Sequence, residues 1–482
     1  MQTIVAISTP YGTGGIAVVR LSGSDALEIA DRAWRGKPLS SVPSHTAHLG
    51  TITADDSGAA LDQAVATVFR APNSFTGEDT VEFSVHGSKW IQRQVVERLV
   101  SLGAVPAGPG EFTQRAFMNG RMDLAQAEGV ADLIAASSRA AHRLAMSQVS
   151  GGFSTRLNQL RERLIELASL LELELDFSEE DVEFADRTRL REIADETLAL
   201  IERLVSTYDS GRAFKEGVPV AIAGRPNAGK STLLNALLGE DKAIVSDVPG
   251  TTRDVIEDTR EINGILFRFY DTAGLRDTDD TVERIGIDRA RDAISRAAIV
   301  LWVIDASTPP AELAAQLKEA EVQINAHPES RHLLLLNKTD MQPGNTGRLP
   351  GDVAERLDSN AGDKPSEGAG LLSDSIGEVA YMSISAKSGA GLEALEKALS
   401  RLVKSDHDPD AELIITNARH KAALESGAAS LRRARCAMDT GLTADFIAQD
   451  VRESLHHLGT VTGAITPTTL LTSIFTHFCI GK

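Results

Sequence analysis

Residues 218–238 read Val218-Pro219-Val220-Ala221-Ile222-Ala223-Gly224-Arg225-Pro226-Asn227-Ala228-Gly229-Lys230-Ser231-Thr232-Leu233-Leu234-Asn235-Ala236-Leu237-Leu238. The apolar run Val218–Ala223 predicts a buried strand, and Thr232–Leu238 predicts a helix. The link between them is a complete Gly-x-x-x-x-Gly-Lys-Ser loop, Gly224–Ser231. Glycines there let backbone N–H groups turn toward phosphate oxygens, and the helix start adds its positive dipole end. In such a loop Lys230 bridges β- and γ-phosphates and the Ser231 hydroxyl ligates Mg²⁺. The bare pattern is expected by chance in roughly one or two chains in a hundred of this length. The strand–loop–helix setting is what gives it weight.

Three later tetrapeptide-sized signals follow in order, each just after a strand-like run. Asp271-Thr272-Ala273-Gly274 follows Leu266–Tyr270; Asp271 can hold the Mg²⁺ shell and the Gly274 amide can sense the γ-phosphate. Asn337-Lys338-Thr339-Asp340 follows Leu333–Leu336, and Ser385-Ala386-Lys387 follows Val379–Ile384. The Asp340 carboxylate can accept from guanine N1–H and its exocyclic amine, donors that adenine does not present in that arrangement. Such a site rejects ATP because its acidic group is then left unpaired. Upstream, Ala243–Asp254 is where a first switch loop belongs, with Thr252 the second Mg²⁺ ligand. Asn227, Ala228, Gly229, Lys230, Ser231 and Thr232, together with the residues just named, form the expected nucleotide site. Leu275 stands where a Ras-like GTPase carries its water-orienting Gln, so the water must be placed by another group.

Outward from this core, the chain of 482 residues is long enough for about three domains. Its hydrophobic fraction of 42% and charged fraction of 24% are ordinary for a soluble protein, and its 4% aromatics imply aliphatic cores. The 49 basic and 68 acidic residues give a formal charge of −19, which argues against a whole surface built to grip nucleic acid. Two cysteines, Cys436 and Cys479, suggest neither a disulfide framework nor a metal cluster. No stretch reaches the roughly 20 apolar residues of a membrane helix, and the chain starts on a strand-like run, Thr3–Ile7, without a charged leader. A cytoplasmic location is expected.

The fold expected is multidomain. Residues 1–118 form an N-terminal α+β domain: strands at Ile4–Ile7, Ile16–Leu21, Val65–Phe69 and Val81–Val85, helices at Asp25–Trp34 (capped by Ser24) and Trp90–Leu102. Residues 119–215 and 406–482 form one discontinuous all-α helical domain. Its signature is the stripe Leu157, Leu160, Leu164, Leu167, Leu171 and Leu175, in a stretch free of Pro and Gly from Phe153 to Thr207. Helices are expected over Ala411–Asp439, Ala444–Leu458 and Thr468–Phe478. Residues 216–405 form an inserted Ras-like α/β P-loop GTPase domain with a parallel sheet. Within it, Gln342–Glu378 reads as a flexible surface insertion.

The set Gly224–Ser231, Pro249–Asp254 and Asp271–Arg276 resembles the MnmE (TrmE) family of tRNA-modifying GTPases. The resemblance extends to Thr9–Gly23, Phe75–Gly87, Gly110–Ile134 and the ending Phe478-Cys479-Ile480-Gly481-Lys482. It implies K⁺-stimulated hydrolysis, with Asn227, Ser246, Val248 and Thr251 as K⁺ ligands within a loop Ser246, Asp247, Val248, Pro249, Gly250, Thr251 and Thr252 that lines the nucleotide. Glu283 is then the acidic residue acting on the water, and Arg276 a switch-two residue linked to the same step. Further implications are a homodimer and a tetrahydrofolate one-carbon carrier held by Arg20, Glu82, Arg121 and Lys482. Where the family often has Lys, this chain has Arg121. The same resemblance implies a catalytic part for Cys479, with a packing role as the alternative, and an FAD-dependent partner, MnmG (GidA). Together they would modify C5 of the wobble uridine, position 34, of certain tRNAs, installing a carboxymethylaminomethyl-type group. The basic stretches Arg419–Lys421 and Arg432–Arg435 are candidate RNA contacts or solvated helix faces. A ribosome-assembly GTPase is the rival reading; it accounts for residues 216–400 but leaves the N-terminal domain and the tail without a role. A dynamin-like membrane remodeller and a P-loop kinase fit less well.

Overall fold

A computed structural model of the chain describes residues 2–176, 187–239, 257–271, 293–341, 369–372, 379–404, 413–440, 442–465, 468–476, 478 and 480–481. The chain divides into two compact units. One combines Met1–Ala135, Ala145–Val205 and Ala418–Lys482; the other combines Ala136–Leu144 and Ser206–Asn417.

The first unit opens with a seven-stranded sheet built from β1 (Ile4–Ile7), β2 (Ile16–Ser22), β3 (Trp34–Arg35), β4 (Thr46–Thr53), β5 (Ala60–Phe69), β6 (Thr80–His86) and β7 (Val105–Pro106), in the order β3-β4-β5-β6-β2-β1-β7. Strict alternation sends Val19 and Leu21, Ala66 and Val68, and Val81, Phe83 and Val85 to one face. There they pack with Ile29 and Ala30 of α1 (Ala26–Ala33) and Val95 and Leu99 of α2 (Lys89–Ser101). Each large side chain buried this way stabilises the domain by about 1.5–3 kcal/mol. The intervening residues fall on the other face, and the β2–β6 register sets Arg20 directly opposite Glu82. Ser24 does not cap α1. The N-cap is Asp25, whose side chain makes no capping bond; its amide instead donates to Thr3 Oγ1 at 3.0 Å.

Helices follow in chain order: α3 (Glu111–Met118), α4 (Leu124–Ala135), α5 (Arg139–Val149), α6 (Gly152–Asp176) and α7 (Arg187–Ser206); the first half of α5, through Leu144, belongs to the second unit. The leucine stripe behaves as its spacing requires, with Leu157, Leu160, Leu164, Leu167 and Leu171 all buried. The described part of the stretch without Pro or Gly lies mostly in α6 and α7. The C-terminal helices pack with the earlier ones, which makes the helical domain discontinuous. In the numbering used here they are α12 (Ala418–Asp439), α13 (Ala444–Thr462) and α14 (Thr468–Phe475), and α13 packs along both α6 and α12. The first of them starts at Ala418, seven residues after the position its sequence suggests.

The second unit follows α8 (Tyr208–Glu216) with β8 (Val218–Ala223), α9 (Lys230–Leu238), β9 (Glu257–Ile262), β10 (Ile265–Asp271), β11 (Ile299–Asp305), α10 (Pro310–Ala326), β12 (Arg331–Asn337), β13 (Ala369–Leu372), β14 (Val379–Ser383) and α11 (Leu392–Lys404). The sheet order is β13-β14-β12-β11-β8-β10-β9. Its five inner strands are parallel, as expected, but both edges are antiparallel. β9 escapes a hydrophobicity reading because Glu257-Asp258-Thr259-Arg260-Glu261-Ile262 is a charged edge strand. Its hairpin partner is reached through Asn263-Gly264, both with positive φ, as a tight turn requires. The edge strand β13 lies inside the segment expected to be a flexible insertion, and it pairs with β14. Apolar layers cover both faces of the sheet: Leu233, Leu237, Leu395 and Leu399 on one, Leu313, Ala320 and Ile324 on the other.

Candidate functional site

The parallel core places every described nucleotide motif at the C-terminal end of a strand, the edge where open α/β sheets bind ligands. The loop Gly224–Gly229 leaves β8, Asp271 ends β10, Asn337 ends β12, and Ser385 follows β14. Strands β12 and β10 are three spacings apart, about 14 Å, so the motifs are spread along a line with the phosphate loop between them.

The phosphate loop is held by contacts that tolerate no side chain at its glycines. A Cβ on Gly224, at φ +148°, would lie 2.3 Å from the Val303 carbonyl oxygen; one on Gly229, at φ +100°, would lie 2.3 Å from Asn337 Nδ2. Asn227 also adopts a left-handed backbone, φ 62°. Gly229 caps α9, so the first amides of that helix open toward the loop. Lys230 is buried, and its Nζ donates to the carbonyls of Gly224 and Arg225 at 2.8 and 2.9 Å. Ser231 and Thr232 are exposed on the first turn of α9, where a hydroxyl can meet a phosphate-bound cation. Arg225 is turned outward and pairs with Glu319 and Glu312 of α10.

The base-recognition end is a compact hydrogen-bond network. Asn337, 2% exposed, donates from Nδ2 to the Ala228 carbonyl at 2.8 Å and accepts at Oδ1 from the Ala386 amide at 2.9 Å. It therefore ties the phosphate loop to the loop after β14. Ser385 Oγ donates to Asp340 Oδ1 at 2.7 Å while the Asp340 side chain stays exposed. One carboxylate oxygen is thus oriented by the protein, and the group still faces solvent where guanine donors would arrive. Lys338 has φ 65°, and its Nζ pairs with Asp305 Oδ2 at 2.5 Å. Burial pushes the Asp305 carboxyl up, but the bonds from Lys338 and Ser307 outweigh it and hold the pKa below its ordinary value. That ion pair was not foreseen; its signal is an acidic residue closing the strand beside β12. Lys387 is exposed. The exposed Asp340 carboxylate offers the acceptors that guanine N1–H and its exocyclic amine require.

The remaining expected nucleotide, cation and catalytic positions lie outside the described residues: Ser246, Asp247, Val248, Pro249, Gly250, Thr251, Thr252, Thr272, Ala273, Gly274, Arg276 and Glu283, and likewise Cys479 and Lys482. Among the described residues no cluster of His, Cys, Asp and Glu could hold a metal ion.

In the first unit, Arg20 Nε donates to Glu82 Oε1 at 2.8 Å, and its guanidinium lies over the rings of Phe75 and Phe112 at 5.4 and 5.5 Å. Arg121 lines a cavity of about 450 Å³ that also includes Phe75. Phe75 is thus shared by the Arg20 contact and the cavity that Arg121 lines. The chain end returns to this domain: Ser8 Oγ donates to the Gly481 carbonyl at 3.0 Å, and Ile480 bridges Pro109.

The two basic stretches are laced with ion pairs. Arg419 is inside, bonded through Nε and Nη2 to both oxygens of Glu128 at 2.8 Å. Arg432, Arg433 and Arg435 are each ion-paired, to Glu202, to Asp450 and Glu453, and to Asp195 and Asp439. Helical periodicity cannot reveal such pairing, because the acidic partners lie mostly on other helices. Among the described residues no helix is long and apolar enough to cross a membrane.

A P-loop on β8, an Asn-Lys-Thr-Asp motif after β12 and a Ser-Ala-Lys loop after β14 are the parts of a GTP-binding hydrolase of the P-loop class. Residues 124–479 match the family model of the MnmE helical domain, and residues 3–121 match that of the GTP-binding protein TrmE N-terminus. Similar curated proteins include the tRNA modification GTPase MnmE of Parabacteroides distasonis, 46% identical over 100% of both chains. Those of Christiangramia forsetii and Cytophaga hutchinsonii are 43% and 44% identical, covering 100% of this chain and 99% and 98% of theirs. The chain belongs to the MnmE family of tRNA modification GTPases. A GTP-binding protein from Sulfolobus solfataricus in complex with GDP matches 51% of this chain and 67% of its own at 21% identity, with a TM-score of 0.28.

Proposed function

We propose that this protein hydrolyses GTP to drive modification of tRNA at C5 of the wobble uridine, position 34, acting with an FAD-dependent partner of the MnmG (GidA) kind. The observation that carries the reading is full-length identity of 46% to a protein named a tRNA modification GTPase, with no domain left unmatched. A ribosome-assembly GTPase would not need the N-terminal domain matched at 3–121. The group installed is of carboxymethylaminomethyl type, its carbon delivered by a tetrahydrofolate derivative on the N-terminal domain. Arg20, Glu82 and Arg121 would bind that carrier, with Lys482 completing the site. The cation wall and aromatic rings around Phe75 support this, since a reduced folate is a flat ring with an anionic tail.

Hydrolysis in this reading uses Mg²⁺ held by Ser231 and Thr252, with Asp271 in its shell. K⁺, held by Asn227, Ser246, Val248 and Thr251, would offset charge developing on the transferring phosphoryl group. Glu283 acts on the attacking water indirectly, Arg276 supports the same step, and Cys479 serves the modification chemistry. The protein works as a cytoplasmic homodimer whose switch loops order around the γ-phosphate. Domain bounds of 1–118, 119–215, 216–405 and 406–482 go with this assignment.

Two measurements test it. GTP turnover in K⁺ should exceed that in Na⁺ at least tenfold, and Asn227→Ala should erase the difference. Equal rates in both salts remove the cation mechanism. Nucleoside analysis of tRNA from a deletion strain should lack the C5-modified wobble uridine; an unchanged profile removes the modification role.

A further inference from the structure

We infer that His45 binds the ring of the reduced-folate carrier through a hydrogen bond at Nε2, an assignment that rests on the N-terminal domain being the folate site. Four described non-glycine residues have positive φ: His45 at 62°, Asn227 at 62°, Asn263 at 51° and Lys338 at 65°. Asn263 turns a hairpin, and Asn227 and Lys338 belong to the nucleotide site. His45 does neither, yet it holds a backbone that costs an L-residue about 1–2 kcal/mol.

The surrounding bonds keep it there. The His45 amide donates to the Val68 carbonyl at 2.7 Å, and Thr46 Oγ1 donates to the Pro43 carbonyl at 2.6 Å. Ser44 Oγ accepts from the Arg70 amide at 2.9 Å and lies 2.8 Å from His45 Nδ1. That contact engages Nδ1 and leaves Nε2 as the ring nitrogen for a ligand.

That ring stands edge-on to Phe69, centroids 5.3 Å apart and planes at 85°. His45, Phe69, Asn73, Ser74, Phe75 and Arg121 line the cavity of about 450 Å³, a volume in the range of small-molecule sites. Two aromatic rings, an imidazole nitrogen and a guanidinium suit a flat heterocycle bearing hydrogen-bonding edges, joined to carboxylates. His45 and Arg121 share this cavity, and Phe75 carries it to Arg20 and Glu82.

The test is titration of the full-length protein with 5-formyltetrahydrofolate by calorimetry, with circular dichroism as a check of folding. His45→Gly keeps the left-handed backbone accessible while deleting the ring; it should weaken binding at least tenfold. His45→Gln, which returns a hydrogen-bonding group at similar reach, should recover at least threefold of that loss. Wild type that binds while both variants stay within twofold of it overturns the His45 assignment alone. His45→Gln no better than His45→Gly overturns the hydrogen bond. Wild type that does not bind the folate overturns the folate reading and this inference with it.

Discussion

Asn337 and Asp340 are three residues apart in one motif and do different work. Asn337 is buried and spends its amide on the Ala228 carbonyl and the Ala386 amide, so it shapes the pocket. Asp340 is exposed and oriented by Ser385, which leaves its carboxylate open to an incoming base. Asp340→Asn should lower GTP affinity at least 100-fold, about 3 kcal/mol, because the amide offers a donor where guanine also donates. Affinity for xanthosine triphosphate, which has a carbonyl there, should rise; fluorescence titration with both nucleotides checks the pair. Gly229→Ala tests the packing behind them. Its methyl would lie 2.3 Å from Asn337 Nδ2 on a backbone at φ +100°. The expected result is a loss of at least 2 kcal/mol of stability together with nucleotide binding, read from thermal melts with and without GDP.

Among elements, the union of α4, α12 and α13 depends on one buried charge cluster. Glu128 of α4 accepts from Arg419 and lies 2.7 Å from His420 Nε2, both on α12. Arg419 also donates to the Thr460 and Val461 carbonyls in the last turn of α13, and His420 stacks on Phe153 of α6. Burial alone pushes the Glu128 carboxyl up, but His420 and Arg419 outweigh it and bring the pKa from 4.5 to about 2. A depressed folded-state value means the contribution is complete above the unfolded pKa and disappears as pH falls toward the folded one. The stabilisation, about 3 kcal/mol, should therefore be intact above pH ~5 and drain away between there and pH ~2. Glu128→Ala should cost about 3–5 kcal/mol at neutral pH by stranding two buried partners, and should flatten the acid limb of stability. Urea unfolding at pH 7, 4.5 and 3 of both proteins measures each effect.

At the scale of the molecule, the nucleotide-binding unit draws on a distant piece of chain. Ala140 and Leu144 are buried in the core that holds Val218, Val220 and Leu233, and the Ala140 amide donates to the Gly264 carbonyl at 2.9 Å. A fragment of residues 206–417 should still bind GTP, because all its described motif residues lie within it. It should melt below the same fragment carrying residues 136–144 on a flexible linker, by the equivalent of about 2–3 kcal/mol of lost apolar burial. Equal melting temperatures in differential scanning calorimetry would show that the segment adds nothing to this core.

Sequence alone determined the nucleotide chemistry and the parallel core, because both are local. A P-loop is contiguous, and each guanine motif sits within three residues of a buried apolar run whose strand character is plain. The leucine stripe of α6 was legible for the same reason. Partners brought together by folding were decided only in three dimensions. Asp305 meets Lys338 across adjacent strands, Glu128 meets Arg419 across 291 residues, and Gly481 returns to Ser8 across 473. The antiparallel edges β9 and β13 were hidden because edge strands need not be apolar, and pairing with a neighbour rather than composition makes them strands. Charge behaves alike: the partners of Arg432, Arg433 and Arg435 appear only once the helices carrying the carboxylates are packed beside them.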